Sequence, residues 1–340
     1  MKPTLGFVSW LMMVKKVSDG RAPVLWCRWP CSRVGRQLGR IGLILVVGSA
    51  IAVVLAGCGR SSDQEASISA AIAGESGIDA SEGEGVRFTD VATGGNHRWN
   101  FSCGLRADGT AQCWGKRSND GIEAPEGEFT AMTAGYQHLC GLHADGTADC
   151  WGYTAGAPEG QFTAISAGGD HSCGLYVDGT VICWGQDWAG QADAPGGHFT
   201  AISAGSSHSC GLRTDRTIEC WGFTDGGRIG APGGHFTAIS AGGVNSCGHR
   251  TDGTIQCWGN NDAPQGQFTA ISAGERHSCG LRTDGTIECW GDNDFGQSNA
   301  PRGHFTTISA DWMHSCGLRT DGTIECWGDN RNGQLDVPSG

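Results

Sequence analysis

Seven times this chain places two cysteines ten positions apart and follows the second with Trp-Gly. The pairs are Cys103–Cys113, Cys140–Cys150, Cys173–Cys183, Cys210–Cys220, Cys247–Cys257, Cys279–Cys289 and Cys316–Cys326. The first cysteines recur at intervals of 32 to 37 residues. A unit that short cannot bury an apolar face alone, so successive units must stack and share their cores. The whole unit reads FTAISAG–xxHSCGL–RTDGT–IECWG–loop–APxG, opening at Phe88, Phe129, Phe162, Phe199, Phe236, Phe268 and Phe305. Its segments are short, alternate in polarity and are bounded by Gly, Asp and Pro, which predicts β-strands. The 58 glycines agree with a turn-rich chain.

The hairpin inside the unit can be registered from its turn. In Cys279–Cys289 the middle is Thr283-Asp284-Gly285, suited to a three-residue loop with glycine in the left-handed position. Arg282 then pairs with Thr286, Leu281 with Ile287, Gly280 with Glu288, and Cys279 with Cys289. If Arg282–Thr286 is hydrogen-bonded, alternation makes the cysteine pair a non-hydrogen-bonded one, with Cα atoms about 4.5 Å apart. That is the low end of disulfide geometry. Turn chemistry and spacing therefore agree on seven local disulfides, each closing a small loop worth about 2–3 kcal/mol in the chain-entropy picture. Two reduced, buried cysteines and a zinc site are the alternatives. His-x-Cys runs at His138, His171, His208, His277 and His314 favour zinc at first sight. But Phe101 and Asn245 replace the histidine where both cysteines remain, so the histidines are expected to hydrogen-bond between adjacent units. The seven Trp-Gly tryptophans are read as packing residues between units rather than as a sugar-binding ladder.

Charge divides the chain. Residues 1–57 carry Lys2, Lys15, Lys16, Arg21, Arg28, Arg33, Arg36 and Arg40 against Asp19, while the whole chain is at −12. The remainder therefore stands at −19, a surface that repels phosphate backbones and excludes nucleic acid as a partner. Arg36 and Arg40 precede the apolar run Ile41–Leu55, which ends in Leu55-Ala56-Gly57-Cys58. A basic segment, an apolar stretch of this length and small residues before a cut site read as an export signal over 1–57. LAGC resembles the bacterial lipobox, and the resemblance implies lipidation of Cys58 as the mature first residue. An uncleaved signal anchor is the alternative; both place the rest outside the cytoplasm. Gly59 lacks the aspartate that retains such lipoproteins in the inner membrane, which allows outer-membrane sorting. The basic segment is long, and a translation start at Val34 would remove Cys27 and Cys31. Residues 58–85 are rich in Ser, Gly, Ala and acids without an aromatic, and read as a disordered linker. Fourteen of 17 cysteines in fixed pairs fit the oxidising compartment that export supplies.

Seven short-strand units with a Trp-Gly signature predict an all-β chain over residues 86–340: a closed, seven-bladed β-propeller. With no eighth FTAISAG strand after the last unit, Val86–Gly94 is expected to complete a blade begun by that unit. HSCGLRTDGTIECWGDNRNGQL, residues 314–335, resembles the repeat of the regulator of chromosome condensation family. The resemblance spans residues 86–340 and implies the same seven-bladed propeller. The units depart from the eukaryotic pattern in being shorter and in carrying a cysteine pair. Gly-Gln occurs only at Gly190-Gln191, Gly296-Gln297 and Gly333-Gln334. The chain looks like an exported bacterial branch of that family.

No nucleophile–base pair, phosphate loop or metal cluster stands outside the repeat, so the sequence predicts no catalytic residue, metal or cofactor. Variation is confined to loops, which predicts a monomeric scaffold recognising a protein partner and touching the membrane only through its lipid. The loop aromatics Tyr136, Trp188, Phe223, Phe295 and Trp312 are the candidate anchors, the residue types interfaces favour. An exported bacterial member of the resembled family inhibits β-lactamases by docking one propeller face, so inhibition of an envelope enzyme is a concrete case. Guanine-nucleotide exchange, as in the eukaryotic namesake, and carbohydrate or cell-wall binding are the other classes.

Overall fold

The computed structural model describes residues 41–47, 50–56, 86–96, 98–116, 126–153, 156–260 and 262–339. The chain divides into two units, residues 1–81 and 82–340. In the first, Ile41–Val47 and Ala50–Ala56 form an antiparallel hairpin with Val47 opposite Ala50. This hairpin covers the apolar run of the expected export signal. Cys58 and the linker read at 58–85 lie outside the described residues.

The second unit holds seven three-stranded antiparallel sheets, each built from one repeat in sequence order. Blade 1 comprises Phe88–Gly95, Asn100–Arg106 and Ala111–Gly115; blade 2 Ala131–Ala134, His138–Leu142 and Ala148–Gly152. Blade 3 comprises Phe162–Ala167, His171–Tyr176 and Val181–Gly185; blade 4 Phe199–Ala204, His208–Arg213 and Ile218–Gly222. Blade 5 comprises Phe236–Ala241, Asn245–Arg250 and Ile255–Gly259; blade 6 Phe268–Ala273, His277–Arg282 and Ile287–Gly291. Blade 7 comprises Phe305–Ala310, His314–Arg319 and Ile324–Gly328. The only helical element among the described residues is a single 3-10 turn, Asp225–Gly227. The first strands of all seven blades line one axial cavity, so they are the inner strands.

Each blade explains its own repeat letters. Cys279 pairs with Cys289, Gly280 with Glu288 and Leu281 with Ile287, the register deduced from the turn. All seven cysteine pairs are disulfides, with Cα atoms 3.9–4.1 Å apart. The Asp284 carboxylate accepts the Thr286 N–H at 2.9 Å and its hydroxyl at 2.6 Å, closing an Asx-type turn. Gly285 takes φ +82, as that turn demands. The strand glycine of HSCGL has a separate reason: a Cβ on Gly280 would lie 2.6 Å from the Phe268 ring, so glycine lets the inner-strand phenylalanine lie flat across the middle strand.

The core lies between blades. Cys279 and Leu281 of blade 6 pack with Phe305, Ile308 and Trp327 of blade 7. The ring closes the same way: Phe88, Val91 and Trp114 of blade 1 pack with Cys316, Leu318 and Ile324 of blade 7. Burying side chains of this size contributes about 1.5–3 kcal/mol each, so the blades hold one another rather than standing alone. Closure does run through the N-terminal segment, but not by strand pairing. Phe88–Gly95 pairs with Asn100–Arg106 inside blade 1. It meets blade 7 through Phe88 N–H to Gly322 O at 2.8 Å and Thr93 N–H to Ser309 Oγ at 3.0 Å. Blade 7 already has its own inner strand, Phe305–Ala310, paired with His314–Arg319, so it needs none from the N-terminal segment.

Candidate binding face

Strand direction sorts the loops. The inner strand runs to one end of the ring and the middle strand returns, so the Asp-Gly turns all lie at the opposite end. The outer strand then delivers its Trp-Gly back to the first end. Hydrogen bonds confirm that the two variable loop sets meet there. Tyr153 N–H reaches Gln137 O, Phe223 N–H reaches Ser207 O, and Asp292 N–H reaches Arg276 O, at 2.9–3.0 Å. All five candidate aromatics therefore share one face.

They do not form one patch. Trp188 is 61% exposed and packs on Phe223 with ring centroids 5.3 Å apart. The Arg228 guanidinium covers Phe223, 5.0 Å from its centroid. Phe295, 38% exposed, carries Arg331 over its ring at 4.7 Å. Tyr136 sits differently, at the mouth of the axial cavity, edge-on to Trp312 at 5.5 Å. Its hydroxyl lies 2.9 Å from a Glu275 oxygen that also accepts the Ser206 hydroxyl. Residues of blades 2, 4 and 6 are thus tied across the mouth of a cavity of about 190 Å³. Burial and the Glu275 charge push the Tyr136 hydroxyl far above the usual tyrosine range. Asp311 lines the same mouth with Oδ2 buried and unpartnered, and burial raises its carboxyl to about 8. Tyr153, 72% exposed, escaped the sequence reading although it directly follows a Trp-Gly.

Between blades the polar links repeat. Histidine Nε2 meets the serine hydroxyl of the next blade in His138–Ser172, His171–Ser209, His208–Ser246 and His277–Ser315, at 2.7–2.8 Å. Asn245 does the same work toward Ser278 at 2.8 Å. The histidines thus bridge adjacent units, as the sequence suggested. Burial depresses their pKa values, to about 3 for His138, His208 and His314 and about 4 for His171 and His277. Among the described residues no group of His, Cys, Asp and Glu is arranged to hold a metal ion.

The loop after Trp-Gly adds a latch onto the next blade. Gln334 O accepts both Ser102 Oγ at 3.0 Å and Trp114 Nε1 at 2.9 Å. Gln191 O does so for Ser209 and Trp221, both at 3.0 Å, and Gln297 O for Ser315 and Trp327 at 3.4 and 2.9 Å. Arg228 O holds Ser246 and Trp258 at 3.2 and 2.8 Å. Each Gln amide oxygen accepts a backbone N–H of its own loop, from Ala189, Phe295 and Asn332. This is the physical reason for Gly-Gln, and it makes the tryptophans interblade packing residues, as read.

Five stretches, residues 162–191, 199–227, 236–267, 268–297 and 305–334, match the Regulator of chromosome condensation (RCC1) repeat. The ectodomain of the Physcomitrella patens receptor kinase CR4 is similar at 31% identity and TM-score 0.62, over 72% of this chain and 74% of that one. The chain belongs to the RCC1-repeat family. The CRINKLY WD40 ectodomain of the Arabidopsis thaliana receptor kinase ACR4 is similar at 27% identity and TM-score 0.61, covering 72% of this chain and 98% of that one. Prp20p of Saccharomyces cerevisiae shares the fold, at 15% identity and TM-score 0.56 over 68% and 82%. No curated protein sequence matches the chain significantly. Within this family fold, the seven disulfides mark an oxidising, extracellular setting. No helix among the described residues is long and apolar enough to cross a membrane.

Proposed function

We propose that this RCC1-repeat protein is an exported, lipid-anchored, non-enzymatic scaffold whose loop-bearing face binds a protein partner, with inhibition of an envelope enzyme as the concrete case. One observation carries the reading: Trp188–Phe223 under Arg228 and Phe295 under Arg331 present aromatic–arginine pairs on one face of a rigid ring. Aromatic and Arg side chains are the types that dominate interface energies. The LAGC motif at Cys58 supports the anchor, and similarity to two receptor-kinase ectodomains supports a propeller displayed outside the cell. The Prp20p structure was described with its binding to Gsp1p and histones, so a propeller of this shape serves protein recognition elsewhere. Nucleotide exchange on a GTPase fits poorly with seven disulfides and a −19 body.

Capture from envelope extract tests this with wild-type protein, the Trp188→Ala/Phe295→Ala double variant and Val177→Ala on the opposite face. One protein retained by wild type and Val177→Ala but lost from the double variant supports the reading. Equal retention by all three overturns it. Binding to purified glycans in place of protein would favour the cell-wall class, and nucleotide release would favour exchange.

A further inference from the structure

The mouth of the axial cavity departs from the repeat at two positions that bring in carboxylates. Where the inner strand ends, six blades carry glycine: Gly94, Gly135, Gly168, Gly205, Gly242 and Gly274. The ring is so tight there that a Cβ on any of the six would collide with a carbonyl oxygen of the next blade. Blade 7 alone places a side chain at this position, Asp311. One position further on, where blades 3 and 5 carry Gly169 and Gly243, blade 6 carries Glu275. A Cβ on Gly243 would overlap the Glu275 carboxylate, so glycine in blade 5 leaves the room that this carboxylate occupies.

Both acids line the axial cavity, and among the described residues that line it there is no Lys, Arg or His to balance them. Glu275 is held by the Tyr136 and Ser206 hydroxyls. Asp311 accepts the Trp312 N–H, but its Oδ2 is buried without a hydrogen-bond partner. Neither charge state cures that: ionised, Oδ2 lacks a donor, and protonated, its hydroxyl lacks an acceptor. A buried polar atom left unpaired is costly, and the Glu275 charge beside it specifies that the missing donor is a cation. A metal ion matches poorly. Calcium takes about six to eight oxygens, whereas the mouth carbonyls of Gly135, Gly205, Gly242, Gly274 and Asp311 already accept N–H groups from the preceding blade. An ammonium brings its own N–H donors and needs only a few acceptors.

We infer that the axial mouth is a binding site for a primary ammonium group, which donates to the Glu275 carboxylate and to Asp311 Oδ2 with its stem directed out onto the variable face. Burial and the Glu275 charge hold a proton on Asp311 up to about pH 8, and Glu275 of blade 6 and Tyr136 of blade 2 are the titratable groups coupled to it. The arriving ammonium replaces that proton. Binding below pH 8 therefore releases a proton and tightens as the pH rises toward that value. The site does not rest on the scaffold reading, because an ammonium can come from a partner's lysine or from a free amine.

Calorimetric titration of the full-length, disulfide-bonded protein with butylammonium, butyltrimethylammonium and butanol tests the site. Saturable binding of butylammonium is expected, tighter above pH 8 than below it. The quaternary analogue has the charge without the N–H donors, and butanol lacks the charge, so neither should saturate. Asp311→Asn and Glu275→Gln should each weaken butylammonium at least about tenfold, the loss of one charge-assisted hydrogen bond. Asp294→Asn, on the same face outside the cavity, should leave it unchanged. No butylammonium binding at high millimolar concentration, equal binding of the quaternary analogue, or full retention in both mouth variants overturns the proposal. Calcium binding lost in the same two variants overturns it in favour of a metal. The analogue series needs no variant, so the proposal stays falsifiable if a variant fails to fold. Once butylammonium binding is established, displacement of a captured protein by excess butylammonium assigns the group to a partner lysine, and undisturbed capture assigns it to a free amine. Amine binding needs no partner, so its failure is separable from failure of the scaffold reading, which falls only if the face variants leave capture intact.

Discussion

His314 Nε2 lies 3.0 Å from the hydroxyl of Ser102, 212 residues away in sequence, and joins the last blade to the first. Ser102 donates its own proton to Gln334 O, so it must accept from His314. The imidazole therefore carries a proton on Nε2, and burial, which lowers its pKa to about 3, keeps it neutral. Ser102→Ala leaves that N–H unpaired in a buried place, while Gln334 O keeps the Trp114 N–H, and His314→Ala adds a cavity. Each should destabilise by about 1–3 kcal/mol, but the double variant should cost less than the sum, because the bond is lost only once. Urea unfolding midpoints of the four proteins measure the coupling; additivity would show that the pair is not a unit.

The blade 1–2 junction uses another solution to the same problem. Phe101 stands where the other blades carry His or Asn, Leu139 stands where they carry Ser, and both are buried in one cluster with Met132. Ala92 likewise replaces the inner-strand hydroxyl that links other neighbours, as Ser166 links Ala204 at 2.9 Å. Phe101→His alone should place an unpaired polar ring against Leu139 and destabilise strongly, by roughly 2–4 kcal/mol. Adding Leu139→Ser should recover part of that loss by restoring the bond seen at His138–Ser172. Thermal midpoints of both singles and the double decide it; a double no better than the worse single would refute the exchange.

Arg216 takes the place of the turn glycine in blade 4 and holds φ +69, the one described non-glycine residue in that region. A left-handed conformation costs an L-residue about 1–2 kcal/mol. Its side chain is exposed, so glycine removes strain with little packing lost. Arg216→Gly should stabilise by roughly 1 kcal/mol after the entropy glycine adds to the unfolded chain. A lower denaturation midpoint would contradict it.

How much of this was legible in the letters depends on whether a residue acts within its own unit. The Cys279–Cys289 register follows from one turn, so spacing alone fixes it. Histidine-to-serine bridging was readable in part, because Asn245 and Phe101 break a metal pattern without breaking the cysteines. Gly-Gln could be noticed but not understood, since the Gln191 carbonyl acts on Ser209 and Trp221 of the next unit. Tyr136 read as a loop aromatic that anchors a partner, whereas its hydrogen-bond partners Ser206 and Glu275 come from blades 4 and 6 and meet it only once the ring has closed. Contacts across the axis join residues that have no fixed spacing, so no repeat records them.

Acid should loosen the ring through the buried histidines. Their folded pKa values, about 3 to 4, lie below the unfolded value near 6.5. Between those limits the unfolded chain binds more protons, so stability is full above about pH 6.5 and falls as the pH drops toward 4. The seven turn aspartates, Asp108 to Asp321, are held below the usual carboxylate range by their Thr neighbours and act with the same sign at lower pH. Asp311 opposes them. Its carboxyl is raised to about 8, so the folded state binds the extra proton between about pH 4 and 8, and stability falls as the pH rises through that window. The sum predicts a maximum between about pH 6 and 7, steep on the acid side, where five histidines act together, and shallow on the alkaline side. Asp311→Asn should remove most of the alkaline decline, leaving the part due to His143, whose pKa the Asp149 hydrogen bond raises, and should steepen the acid limb, which the Asp311 window overlaps. Urea midpoints measured from pH 4 to 9 for both proteins would show it, and an alkaline decline undiminished in the variant would place its origin elsewhere than in the channel mouth.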